Sequence, residues 1–332
     1  MAESQKREGD PLLPQVQEWL RNRMSSAADW PVDKLLAAKG DTTVSVVLPA
    51  RNERETVGEI VGAIRRDLVE SAPLVDEIVV IDSRSVDDTA EVAAAAGARV
   101  VAQDAVLPQL PPMSGKGEAL WKSMHVARGD VIVFVDADLR EFSSSFVTGL
   151  LGPLLTDPSV RYVKACYDRP YVSGGTTVAH GGGRVTELVA RPLINMHWPV
   201  LAGVLQPLSG EYAGRREVLE RLPFVTGYGV ELGMLIDVLE LAGLDAIAQV
   251  DLGVRLHRHQ SAEALGGMSG QIMQTAWSRL ERQGRVVRLE PPSTTLTQFR
   301  RDGDGHEVRT SSVAVDERPP AIVVPDYVGS TV

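Results

Sequence analysis

Val131-Ile132-Val133-Phe134-Val135-Asp136-Ala137-Asp138 is the stretch that decides the fold. An apolar, largely β-branched run of this length reads as a buried strand. It ends in two carboxylates one residue apart, which are poor core material. Ionised carboxylates resist burial unless they are paired or bound to a cation. At the carboxyl end of a parallel strand they face the crevice where open α/β sheets bind ligands. Their hard oxygens suit Mg²⁺ or Mn²⁺ carrying a diphosphate. Taken alone the triplet is common, and a strand followed by an acidic turn is its ordinary reading.

The flanking chain repeats a strand–helix rhythm. Val44 to Leu48 is a β-rich run stopped by Pro49, and Val57, Ile60, Val61 and Ile64 keep helical spacing within 53–68. Glu77 to Ile81 is a second strand. After it, Ser85 or Asp87 offers a cap for an Ala-rich helix to Ala96, which Gly97 ends. Arg99 to Ala102 is a third strand, a Pro- and Gly-rich loop runs to Gly117, and a helix covers about 118–127. This alternation predicts an α/β fold with a doubly wound, mostly parallel sheet. Further on, strands are expected at 161–165 and 246–254. Helices are expected at 185–194, at 230–241 (amphipathic) and at 270–283. Residues 173–183 read as mobile and 299–319 as polar and irregular.

The organisation expected is an N-terminal arm over 1–40 that packs on something else, and a nucleotide-binding half over 41–150. An acceptor-binding half over 151–298 and a tail over 299–332 complete it. The two halves form one compact unit.

Composition narrows the function classes. The chain has 332 residues, 44% of them hydrophobic, enough for a sizeable core. A net charge of -10 argues against a nucleic-acid binder. Cys166 is the only cysteine, so an intramolecular disulfide and a Cys-rich zinc site are both ruled out. No signal peptide is visible at MAESQKREGD, and no run reaches the roughly 18 apolar residues of a membrane span. A cytoplasmic protein without membrane attachment is expected.

Four features fall at strand ends or on loops facing one sheet edge: Leu48 to Glu53, Asp82-Ser83, Gly115-Lys116-Gly117 and the Asp136-Ala137-Asp138 triplet. Together they resemble the GT-A nucleotide-sugar glycosyltransferases over about 43–140. The second half narrows the resemblance. Its carriers are Gly181-Gly182-Gly183-Arg184 through Pro192, Leu205-Gln206-Pro207-Leu208-Ser209-Gly210-Glu211-Tyr212, Gly227-Tyr228-Gly229-Val230-Glu231 and Gly253-Val254-Arg255-Leu256-His257-Arg258. These are similar to segments of the actinobacterial glucosyl-3-phosphoglycerate synthases, over roughly 40–320. Such enzymes move glucose from UDP-glucose to the 2-hydroxyl of D-3-phosphoglycerate with retention of configuration.

The resemblance implies roles residue by residue. Asp138 and His257 would hold Mg²⁺ or Mn²⁺, with Asp136 beside them nearer the ribose. Pro49, Ala50 and Glu53 would cradle the nucleoside, and Asp82 would accept the uracil N3–H beside Ser83. Lys116, between glycines, would approach uracil or phosphate; on its own a GKG is a solvated loop, and it lacks Walker spacing. Arg51 stands where close relatives often carry an apolar residue and is assigned nothing. Gly183, Arg184 and Thr186 would open a helix onto the anionic acceptor, with Tyr228 helping to hold the acceptor phosphate or walling the pocket. His259 replaces the Asn expected in mycobacterial relatives and would make acceptor affinity depend on pH.

Retention of configuration leaves two routes. A double displacement needs a carboxylate on the β face, and Glu231 is the candidate, although the resemblance gives it the glucose hydroxyls. In the front-face route the leaving phosphate takes the acceptor proton while the Leu208 carbonyl assists the oxocarbenium ion. Asp138, Glu231 and Leu208 are therefore the expected catalytic set. A homodimer is expected. The alternatives are a mannosyl-3-phosphoglycerate synthase using GDP-mannose, a polyprenyl-phosphate glycosyltransferase, for which no amphipathic basic segment speaks, and a non-catalytic nucleotide-sugar sensor.

Overall fold

A computed structural model describes residues 12–168, 183–255, 261–325, 327 and 329, and the backbone alone of 171–173 and 176–178. Its strands in chain order are β1 (Met24–Ser26), β2 (Val44–Ala50), β3 (Glu77–Asp82), β4 (Arg99–Ala102), β5 (Val131–Phe134), β6 (Tyr162–Asp168) and β7 (Tyr171–Ser173). Then come β8 (Thr176–Val178), β9 (Tyr212–Arg215), β10 (Phe224–Val225), β11 (Ile247–Val254), β12 (Thr295–Asp302), β13 (Gly305–Ser312) and β14 (Glu317–Arg318). The α-helices are α1 (Pro14–Arg23), α2 (Val32–Lys39), α3 (Val57–Arg65), α4 (Thr89–Ala96), α5 (Lys116–Met124) and α6 (Ser145–Thr156). They continue with α7 (Arg191–His197), α8 (Arg216–Leu219), α9 (Val230–Ala242) and α10 (Ala262–Arg282).

The main sheet runs β1-β11-β6-β9-β5-β2-β3-β4. Every pairing in it is parallel except those of β9 with β5 and β6. Side chains alternate between faces along a strand, and β5 shows the consequence. Val131 and Val133 enter the layer with α3 and α6, while Ile132 and Phe134 enter the layer with α5 and α9. The alternation continues past the strand. Val135 and Ala137 stay in the first layer, so Asp136 is delivered to the side of α5 and α9. The hydroxyl of Thr56 donates to the Ala137 carbonyl at 2.6 Å and fixes the bend.

Four expectations need correction. The N-terminal segment packs on its own chain rather than on something else. Trp19 is buried, its indole N–H donates to the Ile247 carbonyl at 2.7 Å, and β1 covers the edge of β11. An uncovered sheet edge is a pairing hazard, which the three-residue β1 blunts by standing as a short edge strand. The stretch 299–319 is not irregular: β12 and β13 form an antiparallel hairpin around Gly303-Asp304, with Gly303 at φ +56°. Its polar faces hid the period-2 pattern, although Asp302-Gly303 is a turn signal. After the hairpin the chain returns to the core through β14, which pairs with β10, and through buried Val313 and Ala321. Helix α9 is not amphipathic, because Val230 to Val238 are buried all round, packed against α10 and β10. Helix α10 starts near 262 rather than 270, capped by the Ser261 hydroxyl. Among the described residues no helix is long and apolar enough to cross a membrane.

Candidate active site

One cavity of about 680 Å³ gathers most of the expected site residues. Pro49, Ala50, Glu53, Ser83, Lys116, Asp136 and Asp138 line it from the first half; Gly183, Arg184, Thr186, Leu208, Tyr228 and Glu231 line it from the second. Leu265, Met268 and Ile272 of α10 close it with apolar surface. His257, His259 and Gly181-Gly182 lie outside the described residues, as do several positions of the 173–183 segment.

Two loops are stitched together at the nucleoside end. The Ser83 amide donates to the Ala50 carbonyl at 2.8 Å, the Asn52 amide to the Ser85 hydroxyl at 3.0 Å and the Glu53 amide to the Thr89 hydroxyl at 2.8 Å. Asn52 and Arg84 both take positive φ there. Arg84 pairs with Asp104 and donates to the Ser114 hydroxyl at 3.2 Å, bracing the rim. Asp82 is not on the cavity wall. One of its oxygens accepts from the Ser85 amide, and the other is buried with no hydrogen-bond partner among the described residues. The N-cap of α4 is Asp88, without a side-chain cap, and just ahead of it Asp87 accepts from the amide and hydroxyl of Thr89.

The two glycines around Lys116 have a different reason from the one the sequence suggested. A Cβ at Gly115 would overlap the Thr226 carbonyl, one at Gly117 the Val225 carbonyl, and Gly115 has φ +110°. The start of α5 therefore presses on the backbone of β10, where the Gly117 amide donates to Thr226 at 3.0 Å. This close approach aims Lys116 inward. Its ammonium bridges Asp136 and, at 2.9 Å, Glu231. Burial would lower its pKa, but Asp136 and Glu231 outweigh that and hold the amine charged.

Arg255 is the residue that reading the sequence missed. It is 6% exposed and touches Asp136 at 3.0 Å, Asp138 at 3.2 Å, Glu211 at 3.3 Å and the Tyr167 hydroxyl at 2.8 Å. Tyr167 in turn donates to Glu211 at 2.7 Å. The available signal was an arginine closing the β11 run two residues before His257. Burial pushes the Asp136 carboxyl up, yet Lys116 and Arg255 reverse that and leave it well below the usual carboxylate range. For Glu211, fully buried, burial wins over Arg255 and its pKa is raised.

Asp138 is the more exposed carboxylate of the triplet, 45% against 20% for Asp136. A half-exposed hard oxygen donor at the cavity fits a divalent cation. Among the described residues no group of three or more His, Cys, Asp and Glu forms a self-sufficient metal cage. On the opposite half, Gly183 takes φ +85°, and Arg184 and Val185 open a helical stretch that becomes a π-turn over Thr186–Ala190 and then α7. Tyr228 is 47% exposed, with its amide tied to Gln271 at 2.9 Å.

Residues 45–222 match the model of glycosyl transferase family 2. Glucosyl-3-phosphoglycerate synthase of Mycolicibacterium smegmatis is 50% identical over 91% of this chain and 96% of its own. The chain belongs to glycosyl transferase family 2, among the glucosyl-3-phosphoglycerate synthases. Its fold is accordingly the GT-A fold, and the family's members are transferases. The crystal structure of the Mycobacterium tuberculosis synthase in complex with Mn²⁺, UDP and phosphoglyceric acid has a TM-score of 0.77 at 47% identity, covering 89% of this chain and 95% of that one. The mannosyl-3-phosphoglycerate synthase of Rubrobacter xylanophilus has a TM-score of 0.86 at 40% identity, covering 94% and 99%.

Proposed function

We propose that this chain transfers glucose from UDP-glucose to the 2-hydroxyl of D-3-phosphoglycerate, with retention of configuration, as a cytoplasmic homodimer using Mg²⁺ or Mn²⁺. The observation that carries this reading is one cavity lined at once by the strand-end cluster and by Gly183, Arg184 and Thr186. The donor diphosphate belongs with the first group and the anionic acceptor with the second.

Asp138 and His257 would hold the cation, which when bound neutralises the departing diphosphate. Lys116 and Arg255 keep Asp136 ionised and bring fixed positive charge to the same end, where charge develops. Arg184 faces the acceptor as a charge-assisted donor. Glu231 is 7% exposed and engaged by Lys116. A carboxylate so paired is a poor nucleophile, which supports the front-face route, with Glu231 on the glucose hydroxyls and the Leu208 carbonyl at the sugar. Pro49, Ala50, Glu53 and Ser83 wall the nucleoside, whereas Asp82 lies off the cavity wall with its unpartnered oxygen buried and is left out of the nucleoside contacts.

The test is purified protein with 3-phosphoglycerate and Mg²⁺, offered UDP-glucose, GDP-glucose and GDP-mannose separately. UDP-glucose should give the fastest turnover. A second reading, transfer of mannose from GDP-mannose, draws on the likeness to the Rubrobacter enzyme; turnover with GDP-mannose alone would establish it instead.

A further inference from the structure

Lys164 is a buried charge that the site's chemistry leaves unused. It lies in the middle of β6, two residues after Tyr162, and alternation puts it on the face that carries α5 and α9. It is fully buried. A buried ammonium is unfavourable unless its protons are satisfied, and a methionine of similar length would fill the same space without that cost. Burial pushes its pKa down to about 7; Glu231, Glu211 and Asp136 oppose that, and Lys116 adds to it.

Two contacts compensate for the burial. Nζ donates to the Ser209 carbonyl at 2.7 Å and stands 4.5 Å from the centre of the Tyr212 ring. The hydroxyls of Ser209, Tyr212 and Tyr162 are also buried, with no hydrogen-bond partner among the described residues. Lys164 and these hydroxyls form a buried polar cluster, and Lys164 is not on the cavity wall.

Ser209 lies between Leu208 and Gly210, which do line the cavity. Its amide donates to the Gln206 carbonyl at 3.1 Å. On the far side of the turn, a Cβ on Gly210 would overlap the Asp136 carboxylate and come within 2.6 Å of the Lys116 ammonium. The turn is thus gripped from behind by Lys164 and pressed in front against the Asp136–Lys116 pair. Rotating the Ser209 carbonyl off Nζ would move both neighbouring peptides.

We propose that Lys164 is a positioning residue: its bond to the Ser209 carbonyl fixes the Leu208–Gly210 turn, and with it the Leu208 carbonyl and the backbone backing Asp136. The link to turnover rests on the transferase reading above, whereas the link to the turn does not.

The experiment compares the full chain with Lys164→Met and Lys164→Gln, the latter keeping an N–H donor on a shorter stem. Three readouts are taken: amide hydrogen exchange of peptides covering 205–212, UDP affinity by calorimetry with Mn²⁺, and kcat and KM with UDP-glucose and 3-phosphoglycerate. Lys164→Met should exchange at least tenfold faster across 208–210. It should keep UDP affinity and both KM values within threefold and lose at least tenfold in kcat. Lys164→Gln should fall between Met and the parent, and it carries the test alone if the Met variant does not fold. Unchanged exchange at 208–210, or kcat within threefold of the parent, overturns the proposal. So does a uniform loss of affinity, KM and kcat, which marks a merely structural lysine. A parent that binds UDP but transfers nothing sinks the transferase reading instead, and the exchange result still decides the turn.

Discussion

Replacing Arg255 with methionine should cost more stability than any exposed charge in the site. The guanidinium is 6% exposed and lies against Glu211, which is fully buried, and Asp136, which is 20% exposed. Asp136 keeps Lys116 as a counter-charge. Among the described residues the Glu211 carboxylate keeps a hydrogen bond from the Tyr167 hydroxyl at 2.7 Å. Removing one partner of a buried ion pair strands the other charge, which costs roughly 3–5 kcal/mol. For a chain of this length each kcal/mol shifts the melting temperature by about 2 °C, so the loss should be about 6–10 °C. The double variant Arg255→Met/Glu211→Met removes the stranded charge and should recover at least about 2 kcal/mol of coupling energy. The pH dependence follows from Glu211, whose folded pKa is already raised by burial, with Arg255 opposing. Without Arg255 it rises further. A carboxyl with a raised folded pKa destabilises increasingly as pH climbs above its unfolded value. The deficit of Arg255→Met should therefore be smaller at pH 5.5 than at pH 8. Scanning calorimetry at both values measures it. A single variant melting within 2 °C of the parent, or a double variant with purely additive losses, would refute the reasoning.

Four further outcomes are expected. Asp138→Ala and His257→Ala should each lose most turnover with little change in melting temperature, and a folded His257→Ala enzyme at full rate in saturating Mg²⁺ would take His257 out of the site. Arg184→Ala removes a charge-assisted contact worth roughly 1.5–3 kcal/mol, so kcat/KM for 3-phosphoglycerate should fall about tenfold to a hundredfold. UDP-glucose binding by calorimetry should barely change; an equal loss of both would deny the division into donor and acceptor ends. Burial, helped by Lys122, lowers the pKa of His125 to about 4. The unfolded chain then binds the extra proton first, so stability should fall by about 1 kcal/mol between pH 7 and pH 5, discounted for partial exposure, and His125→Phe should flatten that slope. Sedimentation at micromolar concentration should show a species near twice 35.8 kDa, and a clean monomer would defeat the homodimer.

The first half of the fold was legible because its strands are read by composition and its turns by punctuation. Val131 to Val135 and Ile78 to Ile81 are buried on both faces, and parallel strands so covered can stay apolar up to the carboxyl edge. The remaining elements depend on partners far away in sequence. Helix α6 went unread because Gly149, Gly152 and Pro153 speak against a helix, yet the space at Gly149 and Gly152 is taken by Leu252 and Trp30. The antiparallel strand β9 holds only Tyr212–Arg215 and is a strand because it fills the gap between β5 and β6. Local propensity carries neither fact.

The site divides along the same line. Residues proposed to meet a ligand at a strand end, such as Asp136, Asp138 and Ser83, are conspicuous because nothing apolar would place them there. Residues that meet only each other are not. Glu211, Lys164 and Arg255 sit inside or beside strands, where a charge reads as a surface position, and only the assembled sheet shows that all three are buried. Lys116 stands between the two cases. Its flanking glycines drew attention as a ligand loop, while their physical cause is the backbone of β10 more than a hundred residues later. The packing that makes the glycines necessary also turns the ammonium onto Asp136 and Glu231. Function and fold constrain the same three residues, and a variant at Gly117 would disturb both through one contact.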